Sequence, residues 1–515
     1  MSSAVPTLSY LNASLFHMQI DELLLHVEDR RRRTLDALDP DVQAARGQYF
    51  TPHIAADLIA SLPALPASGR FKILDPGAGS GSLTASLVAR IMAKAPSLDV
   101  EIVAIEIDEQ VAQSLRETME ELEKVARDAG VSVQTTVLVE DFIDSTSELD
   151  TDFDLVIMNP PYAKLPANST HRGLMMQLGV QTPNIYAAFM AKGVLCLRSG
   201  GQLTAITPRS FTNGVYFEPF RKFLLDSMVI DRIHVFDSRS TVFSDTGVLQ
   251  ENIIINATRS CELRDVTLSI STGHHDEIVS KPVPHDDIIR PSDLRRFIRI
   301  PVGAEDDAVV KQMLDLPTSL GDLGLTVSTG RVVDFRSREM LQPEATSGFP
   351  MVYPFNVKNG EVAHPKDGGK PQWFNMVAES DTKWLVPSGN YVLIKRFSAK
   401  EERRRIVAGV WSEKSDAASH VAFDNKLNYV HQKGAGLESG LAMGLSLWLN
   451  SSPVDKYFRT FSGHTQVNAT DLREMRFPTV DQLQEIGRDQ AGILPEQDVI
   501  DKIVFAVLGW KGTTE

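Results

Sequence analysis

The run Phe71-Lys72-Ile73-Leu74-Asp75-Pro76-Gly77-Ala78-Gly79-Ser80-Gly81-Ser82-Leu83 most constrains what this chain can fold into. A short apolar stretch, long enough for one buried strand, ends in a carboxylate and a proline; three glycines then alternate with small residues, and a helix opens near Ser82. Glycines 77, 79 and 81 let the backbone approach a ligand that a Cβ would hold away. The free N–H groups and positive dipole end of the helix point at the same place. Strand, glycine turn and helix in this order form the nucleotide-binding turn of an open α/β sheet.

The next strand, Val100 to Ile105, ends in Glu106-Ile107-Asp108, at the distance such a sheet needs to bring a carboxylate to a ribose. Glu106 suits both ribose hydroxyls, and Asp108, just before Glu109-Gln110-Val111, suits the N-cap of a helix. A third strand, Gln134 to Val139, ends in Glu140-Asp141-Phe142, and a fourth, Phe153 to Met158, ends in Asn159-Pro160-Pro161-Tyr162. Two successive prolines fix φ and carry no N–H, so the Pro160 carbonyl can be held beside the Asn159 amide oxygen. Two acceptors then converge on one NH2 group. Tyr162 can lie over a flat ring at the same spot, a contact worth roughly 1–3 kcal/mol per base. Four successive strand ends that each carry a polar or aromatic group predict a doubly wound α/β sheet binding its ligands at the carboxyl ends of the strands.

In these motifs the chain resembles the S-adenosyl-L-methionine-dependent DNA adenine-N6 methyltransferases of the gamma class, with their TaqI-like and Eco57I-like fold. In that class cofactor motifs precede the Asn-Pro-Pro-Tyr motif and target recognition follows. Gly47-Gln48-Tyr49-Phe50-Thr51-Pro52 resembles the segment that closes over the methionine end of the cofactor, which implies contacts from Tyr49, Phe50 and Thr51. Asp75, Pro76, Gly77, Gly79 and Gly81 fall in the first cofactor motif, Glu106 and Ile107 at the ribose, and Asp141 and Phe142 at the adenine ring. Ala205-Ile206-Thr207-Pro208-Arg209-Ser210-Phe211 resembles a later strand-end motif. Phe243, within Thr241-Val242-Phe243-Ser244, falls where the class places the aromatic residue that packs with Tyr162 on an extruded base. Leu393 to Ser398 and Ser462 to Arg473 are similar to the recognition half of modification methylases of the PstI/BsuBI type. This resemblance implies S-adenosyl-L-methionine as cofactor, double-stranded DNA as partner, a companion restriction endonuclease and the target CTGCAG. Lys395 and Arg396 are then the phosphate-binding residues expected in that half; His464, Gln466 and Asn468 are the polar side chains placed for base contact, and Arg473 either joins them or closes a helix capped near Asp471.

A chain of 515 residues with 43% hydrophobic content is ample for two or three domains with real cores. The formal net charge of −15 does not exclude DNA, because phosphate binding depends on charge within about 8–10 Å. Two local basic runs qualify: Arg30 to Arg33, and Lys395-Arg396 with Lys400 and Arg403 to Arg405. Cys196 and Cys261 are too few for a disulfide framework or a four-ligand zinc site, and His274, His275 and His285 lack metal-ligand spacing, so no metal is expected. No apolar run approaches about 18 residues, which predicts no membrane span and a cytoplasmic setting. The expected organisation is a helical segment over 1–45 and a methyltransferase domain over 46–260. A connection rich in His, Asp, Ser and Pro follows over 261–300, with Lys281-Pro282-Val283-Pro284-His285 at its centre. A mixed α/β target-recognition domain then occupies 301–515, where Trp373, Trp384, Trp411, Tyr429 and Trp448 serve mostly as core.

The chemistry these residues support is methyl transfer to the exocyclic amine of adenine, with the base rotated out of its duplex and received by Tyr162 and Phe243. Alternatives remain: RNA adenine methylation uses identical pocket chemistry, protein-glutamine methylation uses the same clamp without needing a recognition half, and a decayed methylase could persist as a non-catalytic DNA-binding protein. No paired-acid and lysine site suggests an added nuclease.

Overall fold

The computed structural model describes residues 8–41, 43, 47–144, 151–236, 252–271, 278–301, 304–344, 348–367, 369–398, 403–412, 419–462, 466–490 and 493–510. The chain divides into two compact units, residues 1–302 and 303–515.

In the first unit the apolar runs form the strands β1 (Ser68–Pro76), β2 (Ser97–Glu106), β3 (Ser132–Val139), β4 (Phe153–Met158) and β5 (Leu197–Pro208), joined in one sheet by β6 (Val229–Phe236), β7 (Asn252–Thr258), β8 (Val266–Ser271) and β9 (Val279–Val283). Strand order is β3-β2-β1-β4-β5-β7-β6-β8-β9. The first five strands run parallel, and β7 pairs antiparallel with both β5 and β6. The order reverses between β1 and β4, so the glycine turn after β1 and the Asn-Pro-Pro-Tyr segment after β4 open on the crevice where doubly wound sheets bind ligands.

Side chains alternate across the sheet and build a core on each face. Leu74, Ile105, Val156 and Met158 face one core, with α6 (Ile185–Cys196) packed over them. Ile73, Ile102, Leu155 and Ile157 face the other, closed by α2 (His53–Ser61), α3 (Ser82–Lys94) and α4 (Glu109–Asp128). All eight are essentially inaccessible to solvent, and truncating one such Ile or Leu to Ala costs about 2–5 kcal/mol.

One sequence expectation is corrected and another is narrowed. The described residues of the 261–300 span include two strands of the first sheet and are no mere connection: β8 pairs parallel with β6, and β9 pairs antiparallel with β8 at the edge of the sheet. An edge strand tolerates Pro282, which has no N–H for a further ladder, and leaves Val279 and Ser280 in water, so it reads as a loop in sequence. Within the Arg30 to Arg33 run, Arg32 and Arg33 are exposed while Arg30 and Arg31 are internal wiring. Helix α1 (Leu8–Ala37) sends Arg30 to Glu121 at 2.9 Å and Thr118 at 3.0 Å on α4, while Arg31, 2% exposed, grips Glu28 through two nitrogens at 2.8 and 2.9 Å.

Among the described residues the second unit holds two sheets. One orders the strands Thr326–Thr329, Leu427–His431, Tyr391–Lys395, Ala408–Trp411, Gly360–Val362 and Val357–Lys358; the other orders Leu341–Gln342, Trp373–Phe374, Phe349–Val352, His420–Phe423 and Leu385–Pro387. Trp411, Tyr429 and Trp448 are buried there, and Trp373 and Trp384 are half-buried.

Candidate active site

The glycine turn is held open by its own backbone. Gly77, Gly79 and Gly81 take φ of +74°, +57° and +90°, and the N–H groups of Gly77 and Ala78 both donate to the Ile105 carbonyl at 2.8 and 2.9 Å, clipping the turn to the end of β2. A Cβ on Gly79 would stand 2.8 Å from the Phe50 ring, so Phe50 lies directly on the turn. Asp75 sits beneath it, buried, accepting from the Thr84 hydroxyl at 2.6 Å on the first turn of α3. Burial raises its carboxyl to about 7, against the lowering by Thr84, and nearby Glu106 raises it further.

Glu106 occupies the next strand end. Its carboxylate accepts from Gly79 N through one oxygen and from Asp108 N through the other, each at 3.0 Å, and burial holds its pKa above the ordinary range. Asp108 caps α4 by accepting from Gln110 N and Val111 N. After β3, Asp141 uses one oxygen to accept from Ile143 N at 2.8 Å and pairs the other with His171 Nε2 at 2.8 Å. His171 stands on α5 (Thr170–Gln177). Lys192 of α6 donates to the Phe142 carbonyl at 2.5 Å, with its ammonium 5.1 Å from the Phe142 ring centre; its pKa is lowered by burial. These strand ends surround a cavity of about 320 Å³, floored by Gly77 and Gly79 and walled by Phe50, Glu106, Phe142 and Asn159.

The segment after β4 is tied to the chain near residue 50. Tyr162 N donates to the Gly47 carbonyl at 3.1 Å. Gly47 has φ +65°, and a Cβ there would lie 2.8 Å from the Tyr162 backbone, so only glycine permits this approach. Asn159 Nδ2 donates to the Tyr49 carbonyl at 2.8 Å and to Thr51 Oγ1 at 3.0 Å. Both amide hydrogens are thereby used, and Oδ1 is turned away from them. The Tyr162 hydroxyl shares its one hydrogen between Asn159 Oδ1 at 3.0 Å and the Ile206 carbonyl at 3.2 Å, and burial pushes its phenol pKa well above 10. Both amide hydrogens of Asn159 are thus taken up by protein, Oδ1 keeps acceptor capacity beyond its contact with Tyr162, and the residue lines the cavity. The Tyr162 ring lies 5.9 Å from Tyr49 and meets Tyr186 edge-on at 6.3 Å.

Comparison with known proteins gives this geometry a family. M.BsuBI, a type II methyltransferase of Bacillus subtilis, is 39% identical over 480 residues, covering 90% of this chain and 94% of its own. The chain belongs to the type II methyltransferases. M.PstI of Providencia stuartii is 37% identical, covering 93% of this chain and 96% of the relative, and the Eco57I restriction-modification methylase family matches residues 88–243. The methyltransferase also shares the fold of the type IIL restriction-modification enzyme MmeI, solved in complex with DNA, at TM-score 0.54 and 12% identity over 99% of this chain and 76% of that one.

Around the cavity of this methyltransferase the structure gathers Tyr49, Phe50, Gly77, Gly79, Glu106 and Ile107, together with Asp141, Phe142, Asn159 and Pro161. Asp75 lies below the turn, Pro76 ends β1, Gly81 is the N-cap of α3, and Pro160 is buried beside the clamp. Thr51 acts through Asn159. Phe243 and His464 lie outside the described residues. In the second unit, Arg396 Nη2 donates to Gln466 Oε1 at 3.1 Å, Lys395 is half-buried at a strand end, Asn468 caps a helix with Asp471, and exposed Arg473 donates to the Val327 carbonyl at 2.6 Å. The sequence reading missed His171, Lys164, Ile185 and Phe189 as cavity residues, since they lie on segments that carry no motif of their own. The side chain on Asp141 gave the only usable signal: a carboxylate at a strand end calls for a donor.

Proposed function

We propose that this methyltransferase acts on the N6 amine of an adenine rotated out of duplex DNA, with S-adenosyl-L-methionine as methyl donor and CTGCAG as target. The observation that carries the reading is the locked amide of Asn159, whose two hydrogens are held by Tyr49 and Thr51 so that Oδ1 is kept as an acceptor in a residue lining the cavity. The cofactor fits the residues present: a turn that admits no side chain under Phe50, a buried carboxylate at the second strand end, and an apolar wall of Phe142 and Phe189. When bound, S-adenosyl-L-methionine supplies a sulfonium methyl group, whose C–S bond breaks as the N6–C bond forms.

The residues then have these tasks. Glu106 accepts the ribose hydroxyls, using lone pairs left over from Gly79 and Asp108. Asp141 and Phe142 address the adenine end of the cofactor. Asn159 Oδ1 and the Pro160 carbonyl accept the two amine hydrogens, hold nitrogen toward a tetrahedral geometry and stabilise the positive charge growing on it. Tyr162 faces the base, and Phe243 is proposed as its opposite wall. No general base is needed before attack; the surplus proton leaves N6 for water afterwards. The second unit is proposed as the target-recognition domain, and a companion endonuclease follows from the modification role. The test is incubation of purified protein with labelled S-adenosyl-L-methionine and separate plasmid DNA and RNA substrates. Label in DNA at N6 of adenine, lost with Asn159→Ala while cofactor affinity persists, supports the reading; label in RNA or protein alone refutes it.

A further inference from the structure

Four segments distant in sequence meet on one surface of the second unit. The turn Asp424-Asn425-Lys426-Leu427 is tied to residue 332 on one side, by Asn425 N to the Val332 carbonyl at 2.8 Å and Val332 N to the Phe423 carbonyl at 3.0 Å. On its other side Arg396 N donates to the Lys426 carbonyl at 3.0 Å and Arg396 Nη1 to the Asn425 carbonyl at 2.8 Å. Arg396 in turn accepts from Val467 N at 2.8 Å and holds Gln466. The backbone of this ridge is therefore rigid.

Its side chains are those a folded core would not leave in water. Phe335 is 62% exposed and Phe397 is 47% exposed. The Arg336 guanidinium lies 5.4 Å from the Phe335 ring centre, and Lys426 is exposed on the turn between. The nearby acids are quenched: Asp334 is paired with Lys370 at 2.7 Å, and Asp424 is fully buried with one oxygen accepting Lys426 N at 2.8 Å. Cations interleaved with exposed aromatic rings on a fixed backbone are the composition of a nucleic-acid surface, where charge meets phosphate and rings meet sugar or base.

We infer that this ridge grips duplex DNA, with Arg336 and Lys426 on phosphates and Phe335 against the sugars beside the Arg396–Gln466 pair. This identifies a contact loop, residues 331–338, that carries no recognition motif. It rests on DNA as the substrate. The test is fluorescence anisotropy of full-length protein with a labelled duplex containing CTGCAG, across a series of NaCl concentrations. Phe335→Ala is expected to weaken binding about tenfold with the salt slope unchanged. Arg336→Ala is expected to lower the slope of log Kd against log salt by about one, and Arg336→Lys to restore it. Calorimetric affinity for S-adenosyl-L-methionine should be unaltered in all three. Wild-type affinity and slope in both alanine variants would overturn the inference. Failure of the unmodified protein to bind or methylate any duplex would instead overturn the DNA reading beneath it.

Discussion

Replacing Thr51 with Val is the sharpest probe of how the clamp is held. Thr51 is buried, and its hydroxyl oxygen receives one of the two Asn159 amide hydrogens at 3.0 Å. Valine keeps the shape and removes the acceptor, so that hydrogen faces a methyl group. A buried donor left unsatisfied costs about 1–3 kcal/mol. That cost also falls on the orientation presenting Oδ1 to the cavity, because the flipped amide would offer an NH2 to an incoming amine. If the loss appears at the methyl-transfer step, the rate falls roughly 5- to 150-fold, since about 1.4 kcal/mol is a factor of ten. The assay is single-turnover transfer of tritiated methyl at saturating cofactor and DNA. Thr51→Ser, which keeps an acceptor, should stay near wild type, and affinity for the cofactor should change little. A Thr51→Val enzyme with a transfer rate within twofold of wild type would show that the amide needs no such lock.

Gly47→Ala forces φ +65° on an L residue and puts a Cβ 2.8 Å from the Tyr162 backbone, so a strain of at least about 1–2 kcal/mol should displace the clamp. Activity should fall by more than tenfold and the melting temperature with it; normal values for both would contradict the close approach. His171→Ala leaves the Asp141 oxygen without its partner at 2.8 Å, and calorimetry should show several-fold weaker binding of S-adenosylhomocysteine, with an unchanged Kd counting against a role at the cofactor. Asp75, raised by burial from 3.8 to about 7, holds a proton in the folded chain that the unfolded chain releases, so its contribution to stability is complete below pH 4 and declines as pH climbs to 7. The change is of order 4 kcal/mol, and Asp75→Asn, which keeps an acceptor for Thr84, should flatten the melting temperature between pH 5 and 8. Parallel pH profiles for the two proteins would refute that assignment.

Much of this was legible in the chain because the parallel strands are short, apolar and punctuated. Asp75-Pro76, Glu106, Glu140-Asp141 and Asn159-Pro160 each follow an apolar run, and in the sheet each stands at the carboxyl end of its strand, with Glu106, Glu140, Asp141 and Asn159 lining the cavity. Asp108 as a helix cap could be read directly, since capping needs only local spacing. The strand β9 was illegible because an edge strand tolerates proline and exposed polar residues, which is how loops also look. Arg30 misled for another reason: its carboxylate partners Glu117 and Glu121 lie some ninety positions away on α4. His171 and the ridge of Phe335, Lys426 and Arg396 depend on the same long-range meeting, so no periodicity announces them.

The central claim is that Asn159 Oδ1 receives an adenine amine. Single-molecule sequencing of plasmid DNA incubated with the protein and S-adenosyl-L-methionine tests it most directly. The account predicts N6-methyladenine confined to one short motif, present with wild type and absent with Asn159→Ala. Methylated cytosine, or adenine methylation that survives the substitution, would contradict it.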